Sequence, residues 1–227
     1  MTNTQPQSIF YVFYVSIIVA LGGFLMGFDA SVISGVVKFI EPEFGLTKIQ
    51  LGWAVASLSL TATFAMMVAG PLSDHYGRKA ILKIAAALFF VSAIASAFAP
   101  SFLMLVLARM LGGFGVGAAL IIAPMYIAEI GPAKYRGRMV SLNQLNIVLG
   151  ISVAFFSNYL ILQAADSDIQ WVQTLGIEQW NWRWMLGIEA IPALLYFVCL
   201  AIVPESPRWL MMKGRSQEAL TILKRAL

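Results

Sequence analysis

Asp29, Arg109 and Glu189 are ionisable residues set inside otherwise apolar segments long enough to cross a membrane. A charge at membrane depth is costly, so such residues mark ion or substrate pathways by default. Two carboxylates and one guanidinium also make a combination with chemistry of its own. The guanidinium can neutralise one carboxylate, which leaves the other able to take up or release a proton as its surroundings change. A static ion pair that fixes helix packing is the alternative, and residue types alone leave both open. Enzymatic chemistry has no such footing: there is no nucleophile with a base beside it, no metal-ligating cluster and no phosphate-cradling loop after a strand. His75 has no partner at ligand spacing, and Cys199, the only cysteine, admits no intrachain disulfide. No catalytic residue, metal or cofactor is therefore assigned.

The elements that must position these charges are membrane helices. The chain is 60% hydrophobic and 11% charged with a mean hydropathy of +0.82, against roughly 25% charged for a soluble domain. Apolar runs cover Ile9–Val37, Leu51–Pro71, Ile81–Ala99, Phe102–Ile127, Met139–Leu162 and Trp184–Val203, each near or above the ~20 residues that cross the hydrocarbon layer. The runs are continuous rather than alternating, which predicts helices and not a barrel. The expected fold is an all-α membrane protein, with a six-helix domain over 1–203 and the start of a helical linker over 204–227. Met1–Ser8 carries no Lys or Arg and the first apolar run is long, so it is not read as a cleaved signal peptide. Arg78, Lys79, Lys83, Lys134, Arg136, Arg138, Arg208, Lys213, Arg215, Lys224 and Arg225 follow the even-numbered spans, against Lys38, Lys48 and Arg183 on the other side. The positive-inside rule then places both termini in the cytoplasm of a multi-pass protein of the cell membrane. The net charge of +4 is topology charge, and without a compact basic module nucleic acid is not an expected partner.

Asp29 lies eight residues before Val37, and Arg109 and Glu189 lie seven after Phe102 and Trp182. At ~1.5 Å per residue all three come to roughly 10–12 Å depth, which predicts one cluster drawn from three helices. Gly22, Gly23 and Gly27 in the first span, and Gly112, Gly113, Gly115 and Gly117 in the fourth, let backbones approach closely. Tight static packing would use glycines in the same way. That the leading spans of two successive triplets are both glycine-rich and both charged suggests a three-plus-three inverted repeat.

Three connections on the basic side each pair a carboxylate with an arginine: Gly70–Lys79 with Asp74 and Arg78, Pro124–Arg138 with Glu129 and Arg136, and Pro204–Leu210 with Glu205 and Arg208. An interlocking network is expected. Ser216–Leu227 follows as an amphipathic stretch with Leu220, Leu223 and Leu227 on one face. No function is read from the loop Gln163–Asn181, with its Asp166, Asp168 and tryptophans.

These segments, together with Gly27–Gly35, Arg109–Gly117, Ser141–Leu145 and Asn181–Met185, resemble the sugar porter family of the major facilitator superfamily over nearly the whole chain. The resemblance implies half of a major facilitator fold and transport of a monosaccharide by proton symport across the bilayer. Asp29 matches the acidic position of proton-coupled members, with Arg109 and Glu189 as its partners. Gln144 matches a glutamine that hydrogen-bonds sugar hydroxyls, with Ile147 and Ile151 further along the same face; an amide offers donors and acceptors without charge. A helix-to-helix hydrogen bond is the other use of such a residue. Asp74, Arg78, Glu129, Arg136, Glu205 and Arg208 match a cytoplasmic gating network that latches the outward-facing state. Met26 and Ile151 stand where a xylose-coupled member has an aromatic ring and a glutamine, so the resemblance does not carry the identity of the sugar. Family members have twelve spans, so 227 residues supply only an amino-terminal half. Because Ser216–Leu227 stops inside a helix without a cap, a truncated chain is expected rather than a working half with a separate carboxy-terminal partner. A six-span protein that transports nothing is the alternative.

Overall fold

The computed structural model describes residues 6–166 and 170–226, and all regular structure among them is helical. Five long helices cover α1 (Pro6–Phe44), α2 (Lys48–Tyr76), α3 (Arg78–Ala97), α4 (Phe102–Ile130) and α5 (Arg136–Ala165). A short α6 (Gln170–Thr174) precedes a sixth span built from α7 (Asn181–Gly187) and α8 (Ala190–Cys199), and α9 (Pro207–Met212) and α10 (Ser216–Ala226) follow. Six segments are long and apolar enough to cross a membrane. Asp168, in the loop left without a function, lies outside the described residues.

Helix ends are set locally. Thr47 Oγ1 accepts from Gln50 N at 3.3 Å while Gln50 Oε1 accepts from Thr47 N at 2.8 Å, a capping box that starts α2. Ser101 caps α4, and Ser206, followed by Pro207 at the first helical position, caps α9.

Several helices outrun their apolar stretches. α1 continues past Val37 through Glu41, Pro42 and Glu43 to Phe44, and α2 runs through Pro71 to Tyr76. The expected turn over Gly70–Lys79 is a break at the single residue Gly77, whose φ of 102° favours glycine. Likewise α4 runs through Pro124 to Ile130. Hydropathy marks only what lies in hydrocarbon, whereas the backbone ladder continues into water. The sixth span is the reverse case. Pro192 has no N–H for the carbonyl of Ile188, which accepts from Ile191 N instead, at 3.2 Å, and the helix opens at Ile188–Glu189.

The inverted repeat is visible in packing. α1 packs most extensively on α5, and α4 on α2, pairings that interchange when the two triplets are exchanged. Each triplet's first helix uses glycines four apart. A Cβ on Gly27 would strike the Ile147 carbonyl, and one on Gly113 or Gly117 would strike the Leu58 or Ala62 carbonyl. The charges are not repeat equivalents, since Asp29 follows its glycine pair and Arg109 precedes its own. They meet because α1 and α4 pass antiparallel.

Buried apolar residues in the bundle form two large clusters, one around Val12–Leu25, Ile81–Phe89 and Val116–Ile130, the other around Phe28–Ile40, Leu105 and Trp182–Leu186, with a small third one at α9 and α10. At the far end of the chain, α10 departs from the expected face. Ala219 is fully buried with Ile222 beside it against Trp209 and Leu210, whereas Leu220 is 48% exposed. The small side chain lets α10 approach α9 where leucine would hold it off.

Candidate functional site

Asp29, Arg109 and Glu189 come together where the two apolar clusters meet, and each is at most 3% exposed. α1 runs on past its apolar stretch from Val37 to Phe44, so Asp29 is fifteen residues from its end. The extra turns carry Lys38, Glu41 and Glu43 beyond the apolar boundary, and the expected meeting of the three charges is found.

Arg109 Nη1 lies 3.4 Å from Asp29 Oδ1 and Nη2 donates to the Asp29 carbonyl at 3.3 Å, while Nε donates to the Ala54 carbonyl at 3.2 Å. One guanidinium thus ties α4 to α1 and α2. Gly112, a turn beyond Arg109, keeps the space open. A Cβ there would stand 2.6 Å from Ser92 Oγ and 2.7 Å from Asp29 Oδ2. Ser92 itself donates to the Ala108 carbonyl at 2.8 Å. Asp29 and Arg109 are the charged groups acting on Glu189, whose Oε1 is buried and accepts no hydrogen bond among the described residues; the same is true of Asp29 Oδ2. Two carboxylates and one guanidinium sum to one negative charge, and binding one proton brings the cluster to neutrality.

Gln144 is exposed on α5, Ile151 is partly exposed, and Ile147 is largely buried with its side chain against Gly23. The three do not form one open face. α5 presents Gln144 beside exposed Leu145, Val148 and Leu149. Its buried polar residues turn the other way: Asn158 Nδ2 donates to the Val32 carbonyl at 3.0 Å and packs on Gly35, and Asn143 packs on Gly23.

At the basic end, Arg78 is 3% exposed and meets Glu129 through two hydrogen bonds of 3.1 Å, with Asp74 Oδ1 at 2.7 Å. This bidentate pairing is the strong form of an Arg–carboxylate contact. Glu205 Oε1 accepts from the backbone N–H groups of Arg78, Lys79 and Ser206 at 3.0, 3.1 and 2.9 Å. A carboxylate from the far end of the chain thereby caps the N-terminus of α3. Gly77 makes this possible, since a side chain there would collide with the Glu205 carboxylate. Ser206 Oγ also donates to Glu129, Trp209 Nε1 to the Asp74 carbonyl at 3.0 Å, and Tyr126 to the Pro204 carbonyl at 2.9 Å. The expected network needs one correction. Arg136 and Arg208 are exposed and make no side-chain hydrogen bond or ion pair among the described residues. Only Asp74, Arg78, Glu129 and Glu205 interlock, because Arg78 alone is carried into the bundle by a helix start buried at Gly77. Ser206, Tyr126 and Trp209 were not foreseen. Ser206 had a signal, a serine before proline at a helix start.

A six-helix bundle of two inverted triplets, with a buried charge cluster in its interior and a carboxylate–arginine network at one end, has the fold of half a major facilitator transporter. Its helices match the proton:xylose symporter of the major facilitator superfamily bound to 6-bromo-6-deoxy-D-glucose, with TM-score 0.86 and 37% identity over 96% of this chain and 50% of that one. The family profile described as "Sugar (and other) transporter" matches residues 15–227, and the chain belongs to that family. Relatives include a glucose transport protein of Synechocystis, 42% identical over 97% of this chain and 47% of the relative. The D-xylose-proton symporter of Escherichia coli K12 is 38% identical over 99% and 50%. The chain thus spans about half the length of the curated relatives it matches.

Proposed function

We propose that this chain is the amino-terminal half of a proton-coupled monosaccharide carrier, with both termini in the cytoplasm. The observation that carries the reading is the buried cluster of Asp29, Arg109 and Glu189, one proton short of neutrality in a dry setting. A cluster with that charge balance can take up or release one proton as its access to water changes on either side. Asp29, on the glycine-rich α1 that packs closely on α5, is the carrier, with Arg109 and Glu189 tuning it. Gln144 supplies an amide to the sugar hydroxyls from the exposed face of α5, with Ile151 as an apolar neighbour and Ile147 supporting them from beneath. The Arg78–Glu129–Asp74–Glu205 assembly latches the basic end. Arg136 and Arg208, exposed and unpaired in this half, are free to engage a second half when the carrier closes on that side.

A second half is part of the proposal. Alternating access rocks two repeats about a midplane site, and α5 leaves a broad apolar face with Gln144 uncovered. One amide contributes only ~1 kcal/mol net, too little to draw a hydrated sugar from water.

The test joins the chain, by fusion or co-expression, to a carboxy-terminal half in cells without sugar uptake. Concentrative uptake is expected from the pair and not from the chain alone. Asp29→Asn should abolish accumulation while sparing counterflow, because the amide stands in for the protonated acid. Accumulation that survives this change overturns the coupling role, and saturable proton-dependent uptake by the 227-residue chain alone in liposomes overturns the need for a partner half.

A further inference from the structure

The residues Asn181–Met185 have no part in the site above, yet they build the densest polar contact set at the end of the bundle opposite the basic end. Arg183 Nη1 donates to the carbonyls of Ala97 at 3.2 Å and Ala99 at 2.7 Å, and Nη2 donates to Glu43 Oε1 at 3.3 Å. Its guanidinium lies 4.8 Å from the Trp180 ring centroid and 4.2 Å from that of Trp182. Trp182 Nε1 donates to the other oxygen of Glu43, and the Trp182 ring meets Phe44 edge-on at 5.9 Å. One side chain on α7 therefore holds the last turn of α1 and the C-terminal end of α3, where the helix dipole favours a cation. Each bond uses the planar fork, which an ammonium could not reproduce.

α7 is only seven residues long and is separated from α8 by the break at Ile188–Glu189 that Pro192 imposes. Glu189 sits in that break. Ile188 and Glu189 keep helical dihedrals through it, so the placement of Glu189 against Asp29 and Arg109 follows how α7, two residues before it, is held. The same clamp acts on α1, the helix that carries Asp29.

We propose that Arg183 is a positioning residue for the proton-binding cluster: by tying α7 to the ends of α1 and α3, it sets Glu189 in register with Asp29 and Arg109. This rests on the proton-coupling reading given above. The charged groups facing Glu189 are Asp29 from α1 and Arg109 from α4. Between their ends α2, α3 and α5 bring no charge to this level, so a displaced α7 changes the proton affinity of the cluster through those two groups alone.

The test uses the 227-residue chain in liposomes with Cys199→Ser, spin labels on cysteines replacing the exposed Ser34 and Ile191, and infrared titration of protonated carboxyl groups. Arg183→Gln should broaden the distance distribution between the labels and move the carboxyl titration midpoint by about one pH unit. Glu43→Gln, which keeps an acceptor for Trp182 but removes the ion pair, should do both to a smaller extent and serves if the arginine variant does not insert. An unchanged distribution in both variants overturns the clamp. A broadened distribution with an unmoved midpoint overturns the positioning role and leaves packing. If the wild-type chain shows no titration removed by Asp29→Asn or Glu189→Gln, the proton reading fails, and the label distances alone decide the clamp.

Discussion

Arg109→Gln withdraws donors from three buried oxygens at once: Asp29 Oδ1 at 3.4 Å, the Asp29 carbonyl at 3.3 Å and the Ala54 carbonyl at 3.2 Å. The Asp29 side chain is 4% exposed, so the carboxylate loses its partner with no water to replace it. Breaking a buried pair from one side costs about 3–5 kcal/mol, a fall in the folded-to-unfolded ratio of roughly two to three and a half powers of ten. Asp29→Asn in the same chain removes the carboxylate that Arg109 had paired, and Glu189, the remaining buried acid, can take up a proton. The double variant should therefore recover to within about 1.5 kcal/mol of the parent, since two amides can bond each other across the gap. Reversible unfolding in mixed micelles, read by tryptophan fluorescence across the four chains, gives the coupling energy of the cycle. A double variant no more stable than Arg109→Gln alone would refute the account. The cost would then lie in lost tethering of α2 and α4 through Ala54, and not in an unpaired charge.

Four further outcomes follow from particular residues. Gly27→Ala places a methyl against the Ile147 carbonyl and should cost about 1–3 kcal/mol, whereas Gly52→Ala, with nothing within 4 Å, should stabilise α2 by about 0.5–1 kcal/mol; micelle unfolding compares them directly. Glu205→Ala orphans the first N–H groups of α3 and should cost about 1–3 kcal/mol, with Glu205→Gln much milder because its carbonyl oxygen still accepts. Arg136→Ala and Arg208→Ala should leave stability within about 0.5 kcal/mol while slowing transport by the joined halves. At α10, Arg215 donates to both oxygens of Glu218 at 2.7 and 2.6 Å, and that hydrogen bond holds the Glu218 carboxyl below its ordinary value. A depressed carboxylate stabilises only while ionised, so the contribution is present above the ordinary glutamate value and is lost as pH falls from there through the lowered folded-state value. Amide exchange over 216–222 should quicken in acid for the parent and show no such step for Glu218→Gln.

Much of this protein was determined by the order of its residues alone. Six spans follow from apolar length, because the bilayer demands that every backbone polar group be satisfied within the segment. The charged triad was legible for the same reason: an ionisable residue in a span is conspicuous, and three of them need one another. Glycines four apart in the fourth span announced a close approach, since nothing but a missing side chain lets two helix backbones touch. Other features were decided only in three dimensions. Whether an arginine in a basic loop joins a buried ion-pair network or faces water depends on what lies across from it, so Arg78 is buried on Glu129 while Arg136 and Arg208, in motifs of the same kind, are exposed. Glu205 reaches the N-terminus of α3 from more than a hundred residues away, a distance no local pattern spans. Ile147 looked like a neighbour of Gln144 by helical spacing, but the α1 glycines draw α5 in and bury it. The split of the sixth span at Glu189 had its cause in plain view at Pro192. Its consequence, a carboxylate held by a clamp on another part of the bundle, required the positions of Glu43, Ala97 and Ala99 around Arg183, and those are set by packing between helices rather than by any stretch of the chain.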